Sequence, residues 1–281
     1  MTRMRTIDET LIRRWMPSRE DDQDTTKRDY GQVLLIGGSA GMGGSIIMSA
    51  EAAVQSGAGL TTVATDVAHH VALHTRVPEA MALPLHDLTG ISEQVKKSTV
   101  IAMGPGLGLH ERAVNVFRLV LASIREDQIL ILDADALTLL AREKSKLRTP
   151  KVILTPHAGE WQRITNLEPE KQTDERNQEW AEQLHATVVL KGDRTRIYTE
   201  HESFLNSEGS PAMATGGMGD CLTGIIAGLC AQSRDKVEGL VSAVYIHSLI
   251  GRDLGEHQHV VRPVQIAELL PTYIKRISSQ S

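Results

Sequence analysis

Residues Met213–Leu229 read MATGGMGDCLTGIIAGL. Three glycines, Gly216, Gly217 and Gly219, deliver one aspartate, Asp220, to the start of a strongly apolar helical pattern. The first N–H groups of a helix have no partner within it, and with the helix dipole they favour a bound anion. A carboxylate placed there competes with that anion unless it has a separate task. The glycines let bare backbone approach a terminal phosphate closely, and their N–H groups can hold charge that moves onto it. Asp220, with its pKa held down by the helix N-terminus, is then expected to be ionised and to accept the proton of a hydroxyl lined up against that phosphate. Aspartate is also a favoured helix cap, which is the plain alternative, although a cap needs no run of glycines around it.

Upstream of this block, short apolar runs alternate with helical patterns. The runs are QVLLIG (32–37), LTTVAT (60–65), STVIAMG (98–104), QILILD (128–133), KVILT (151–155) and TVVLKG (187–192). That rhythm predicts a parallel sheet covered on both faces. RIYTE (196–200) and SFLN (203–206) read as a hairpin adding antiparallel strands, so a mixed sheet is expected. Helices are predicted over 45–56, 112–123 and 171–185, and the closing third is helical, with Leu222, Ile225, Ile226 and Leu229 on one stripe. Residues 1–29 read as a short amphipathic start followed by a charged, turn-rich loop, with the fold beginning at Gln32. No second domain or repeat is visible, so one domain over 1–281 is expected.

Composition narrows the function classes. The 281 residues are 41% hydrophobic and 23% charged, enough for a real core. A net charge of −5, without a long basic run, does not describe a nucleic-acid surface. Cys221 and Cys230 lack metal-ligand spacing and read as buried cytosolic thiols. The eleven histidines form no HExxH or comparable pattern. The charged N-terminus is neither a signal peptide nor a membrane anchor, which makes the cytoplasm the default location.

In open α/β sheets, ligands collect beyond the carboxyl ends of the strands. Here those ends carry GGSAGMGG, GPGLG, DADAL, TPHAGE and KGDRT. The first is no Walker A loop, because Gly44 stands where the lysine belongs, and neither glycine motif is a dinucleotide fingerprint. Read singly, His157 is scaffold or ligand, Lys191 and Thr195 are site or exposed turn, and Asp133 and Asp135 fit a helix cap. His247, inside AVYIHSLI, reads as packed core.

Taken together, GGSAGMGG, VPEAM, MGPGLG, LDADAL, LTPHAGE, VLKGDRT and ATGGMGDCLTG followed by AVYIHS resemble the ADP/ATP-dependent NAD(P)H-hydrate dehydratases, from about Tyr30 to the C-terminus. The resemblance implies a ribokinase-like three-layer α/β/α sandwich with a mostly parallel central sheet. It implies transfer of the ring hydroxyl of S-form hydrated NADH or NADPH to the terminal phosphate of ADP or ATP, followed by phosphate elimination. By position, Lys191, Gly192, Asp193, Arg194 and Thr195 match the loop on the adenine nucleotide, with Gly219 beside its phosphates. Ser45, Gly106, His157 and Asp220 match positions that meet the hydrated dinucleotide, and Asp220, Gly217 and Gly219 form the catalytic set. Mg2+ is expected to bridge the phosphates. Ser45 stands where alanine is common and Ser210 where asparagine is common. A homo-oligomer, such as a tetramer, and a separate NAD(P)HX epimerase are the expected partners.

The nearest rival is a small-molecule kinase of the same superfamily, acting for example on a hydroxymethyl heterocycle, since GGMGD serves both. TPHAGE and GPGLG argue against it. A sensor that binds nucleotide without chemistry would not need Asp220, and a Rossmann dehydrogenase lacks its fingerprint here.

Overall fold

Runs of branched apolar residues without polar alternation are satisfied inside a sheet that is covered on both faces. The computed structural model of the protein, which describes residues 4–19, 24–145, 147 and 151–279, places them there. Among the described residues, ten strands make one sheet: β1 (Met4–Thr6), β2 (Gln32–Ile36), β3 (Leu60–Thr65), β4 (Met81–Pro84), β5 (Val100–Met103), β6 (Ile129–Leu132), β7 (Val152–Leu154), β8 (Ala186–Leu190), β9 (Arg196–Tyr198) and β10 (Ser203–Leu205). Their order is β1-β10-β9-β8-β7-β6-β5-β2-β3-β4. Only β9 runs against the rest, pairing antiparallel with β8 and β10. The expected mostly parallel sheet with an antiparallel hairpin is what forms.

Helices cover both faces. One layer holds α1 (Glu9–Trp15), α2 (Gly43–Gln55), α3 (His70–Arg76), α9 (Met218–Gln232), α10 (Lys236–Gly255) and α11 (Pro263–Ser278); the other holds α4 (Leu88–Lys97), α5 (Glu111–Ser123), α6 (Asp135–Glu143), α7 (Ala158–Thr165) and α8 (Asp174–Gln183). The two cores share the sheet by alternation. Val33 and Leu35 of β2 face the first, Leu34 and Ile36 the second, as a period of two requires. The result is the three-layer α/β/α sandwich.

Two expectations change. The N-terminal stretch lies inside the fold: β1 pairs in parallel with β10, Met4 opposite Ser203, and α1 buries Leu11 and Ile12 in the first core. A three-residue strand and a seven-residue helix are too short to declare a period. Of the charged loop that follows, residues 20–23 lie outside the described residues. Second, α9 has no single apolar stripe, because every residue from Cys221 to Cys230 is buried. It is enclosed by the sheet, α2, α10 and α11.

The crossing of α2 and α9 positions the site. A Cβ on Gly224 would lie 2.1 Å from the Ser49 carbonyl oxygen, so only glycine lets the two backbones approach this closely. The Ser49 hydroxyl then donates to the Asp220 carbonyl oxygen at 2.8 Å. The N-terminus of α9 is thereby fastened to α2 beneath the ends of β2 and β5.

Candidate active site

After β4 the chain returns to the far side of β2 to form β5, so β2 and β5 flank a topological switch point. The loops leaving these strands are joined backbone to backbone, with Gly38 N–H donating to Pro105 at 2.9 Å and Ser39 N–H to Gly106 at 2.7 Å. The Ser39 hydroxyl bridges the Leu107 carbonyl and His110 Nε2. His110 Nδ1 already accepts from the Ala113 N–H, so its proton sits on Nε2 and is donated to Ser39. Gly106 has φ of 59°, and a Cβ there would come within 2.7 Å of the Met42 carbonyl oxygen and 3.4 Å of Ser45 Cβ. This is the wall expected to receive the dinucleotide.

Asp220 is the third residue of α9, behind the left-handed Gly217 at φ of 88°. The Ser45 side chain approaches it from α2 across the α2–α9 crossing and pulls its pKa down. The expectation of a lowered pKa is overturned. Burial and the neighbouring Asp133 carboxylate push Asp220 above the ordinary carboxylate value, against the opposing pull of Ser45 and Lys191. Desolvation of the buried carboxylate is the largest cause. A base with a raised pKa sits closer to the working pH and takes a proton more effectively once ionised.

On the other side of Asp220, the end of β8 supplies Lys191. Its Nζ lies 2.8 Å from Asp133 Oδ1, and a Cβ on Gly219 would be 3.3 Å from that nitrogen. Burial alone would lower the Lys191 pKa, but the Asp133 charge and hydrogen bond outweigh it and hold the ammonium above its ordinary value. The lysine is therefore charged beside the helix N-terminus, not an exposed turn. Gly192, Asp193 and Thr195 continue from it along a cavity of about 520 Å³, whose other walls include Ser210, Met218, Gly219 and His247. Arg194 does not line it; its N–H is taken by the Asp193 carboxylate and its carbonyl oxygen by Arg196. Ser210 caps the turn at 211–213 by accepting from the Ala212 N–H.

His157 begins α7 as its cap. Nδ1 accepts from the Gly159 and Glu160 N–H groups at 3.0 and 3.3 Å, while the Glu160 carboxylate accepts from the His157 N–H at 2.9 Å. The ring proton is consequently on Nε2, on a half-exposed side chain, so His157 meets a ligand as a donor. A parallel bridge sets His157 beside Lys191. His247 is buried as expected, and burial pushes its pKa down to about 4, yet it also lines the cavity beside Lys191. Cys221 and Cys230 are buried, and burial pushes both thiol pKa values up.

Among the described residues no group of three or more His, Cys, Asp or Glu could hold a metal ion. Magnesium commonly keeps its water and binds through phosphates with few side chains. Sequence reasoning missed the Asp133–Lys191–Thr223 contacts and the Ser39–His110 brace. Their one signal was the recurrence of polar residues at strand ends.

Residues 33–272 match the family model described as NAD(P)H-hydrate dehydratase. The chain is 47% identical over 264 residues to the ADP-dependent (S)-NAD(P)H-hydrate dehydratase of Listeria monocytogenes, covering 94% of each. Its structure superposes on a ribokinase-like superfamily protein from Enterococcus faecalis with a TM-score of 0.96 at 44% identity, covering 98% of this chain and 96% of the other. It superposes on the ADP/ATP-dependent NAD(P)H-hydrate dehydratase of Bacillus subtilis, co-crystallised with ATP/Mg2+, with a TM-score of 0.85 at 30% identity, covering 99% and 100%. A match that runs through every strand end described here, from the glycine loops to Asp220, makes this chain a member of the NAD(P)H-hydrate dehydratase family.

Proposed function

We propose that the protein repairs hydrated NADH and NADPH in the S form, using ADP or ATP to phosphorylate the ring hydroxyl and then expelling phosphate. The observation that carries this reading is that Asp220 is acted on both by Ser45, which lies close to Gly106, and by Lys191, which lies close to Gly219. The hydrated dinucleotide lies along Ser45, Gly106 and His157, which offers an Nε2 proton. The adenine nucleotide lies along Lys191, Gly192, Asp193 and Thr195, with its terminal phosphate at Gly217 and Gly219. Arg194 completes this loop by sequence position.

Asp220 accepts the hydroxyl proton as that oxygen attacks the terminal phosphorus. The bond from phosphorus to the bridging oxygen breaks, releasing AMP from ADP or ADP from ATP. The Gly219 and Asp220 N–H groups and the Lys191 ammonium hold the charge that develops. Magnesium, when bound with the nucleotide, would offset phosphate charge. The ring nitrogen then pushes electrons toward the C–O bond, phosphate leaves with the former hydroxyl oxygen, and a proton lost from the adjacent carbon restores the dihydronicotinamide.

A kinase of the same superfamily would stop at the phosphate ester. Chemically hydrated NADH mixed with the protein, Mg2+ and either nucleotide tests the choice. Return of the reduced-nicotinamide absorbance is expected, whereas a stable phosphorylated product without that absorbance would contradict it. Among the described residues no helix is long and apolar enough to cross a membrane. We place the enzyme in the cytoplasm, as a homo-oligomer working beside an NAD(P)HX epimerase.

A further inference from the structure

The motif LDADAL at the end of β6 carries an almost fully buried aspartate, Asp133, that does not line the nucleotide cavity. Its two oxygens are both engaged. Oδ1 accepts from Lys191 Nζ at 2.8 Å and Oδ2 from Thr223 Oγ1 at 2.7 Å. One carboxylate thus ties the end of β8 to the first turns of α9. An ammonium has three N–H donors, and Asp133 uses one, which leaves two for an anion at the helix N-terminus. The backbone that presents this carboxylate is unusual. Ala134 adopts φ of 48° and ψ of −118°, a conformation that costs a non-glycine residue energy and persists where the surroundings demand it. The next residue, Asp135, accepts the Gly108 N–H at 2.7 Å, so the same turn also braces the GPGLG loop. Burying an ion pair is a poor route to stability compared with apolar packing, which leaves placement of the charge as its better explanation.

We propose that Asp133 is a positioning residue for phosphoryl transfer: it fixes the Lys191 ammonium beside Gly219, where the transferred phosphate needs a cation. This rests on the repair reading above. The preset ammonium meets the phosphate without reorganising, and only such fixed charge is fully effective in a water-poor site. Asp133 also acts on the base. The groups that face Asp220 are Ser45 of α2, Asp133 and Asp135 at the β6–α6 turn, and Lys191 just after β8; the Asp133 charge raises the Asp220 pKa and the Lys191 charge lowers it.

The test is a cycle of Asp133→Asn, Lys191→Met and the double variant, read as kcat and KM for hydrated NADH with ADP, and as the pH dependence of kcat. Asp133→Asn should lower kcat by at least roughly tenfold with the hydrate KM little changed, since a misplaced group costs rate more than binding. The double variant should be no slower than Lys191→Met, because Asp133 acts through the lysine. The acid limb should move to lower pH in Asp133→Asn and to higher pH in Lys191→Met, opposite shifts that a merely structural role would not produce. Additive losses, an unchanged kcat or limbs that move together would overturn the proposal. If Asp133→Asn does not fold, Thr223→Val replaces it in the same cycle, with a smaller loss expected and additivity again the refuting result. Asp220→Asn separates the two readings: if it stays active the repair mechanism itself fails, and if it is inactive while Asp133→Asn is unaffected only the positioning role fails.

Discussion

Ser45 of α2 lowers the pKa of Asp220, a base that burial and Asp133 raise. Ser45→Ala should therefore move the acid limb of the kcat profile to higher pH while leaving the nucleotide KM unchanged, since the folded-state pKa rises and more acid must be removed before the base ionises. An unmoved limb in stopped assays across pH would mean that Ser45 does not touch the working base. Asp220→Asn should abolish turnover while ADP affinity by calorimetry changes little, because the amide keeps the shape and loses the base. At this scale the sequence named residues that the fold sets near one another: Lys191, Thr195 and Gly219 line one cavity, His157 bridges to Lys191, and Gly106 packs close to Ser45. It was misleading about charge. The helix N-terminus is visible in the glycine motif, whereas the burial and the Asp133 charge that raise the Asp220 pKa come from elements far away in the chain. The tautomer of His157 was equally hidden, being set by two backbone N–H groups of a helix that only the fold reveals.

The element that decides the site is the crossing of α2 and α9. Gly224→Ala would place a Cβ against the Ser49 carbonyl oxygen and force the helices apart, at a cost of about 1–3 kcal/mol. Because Ser45 and Asp220 face each other across this crossing, kcat should fall beyond what the lowered melting temperature accounts for; a variant with normal kcat would show that the crossing serves stability alone. The β8 end makes a complementary case. Lys191→Ala with Thr195→Ala should weaken ADP more than the hydrated dinucleotide in thermal-shift titrations, as a ligand stabilises in proportion to its binding of the folded state. Equal weakening would mean that the two surfaces are not separate. Strands β2, β3 and β5–β8 were legible because each is a run mostly of apolar and β-branched residues with no charged position in it. β1 and β4 were not, since they sit at the sheet edges, β1 carries Arg5 and β4 ends in a proline. Edge positions tolerate such sequences because one side of the strand owes no hydrogen bonds.

Across the whole molecule, all the strands but β9 run in one direction, and α2 and α9 pack against each other within one helical layer. The rhythm of strands and helices made this architecture readable, because each crossover leaves its own apolar run. The pairings of Asp133 with Lys191 and of Ser45 with Asp220 were not readable, because they join positions far apart in the chain and depend on strand order. The central claim is that the hydrated ring gives up its hydroxyl as phosphate at Asp220. Oxygen labelled in that hydroxyl, followed by mass spectrometry after turnover with ADP and Mg2+, reports it directly: the label should appear in the released inorganic phosphate, one for each reduced cofactor recovered, and label found in water instead would contradict phosphorylation of the ring.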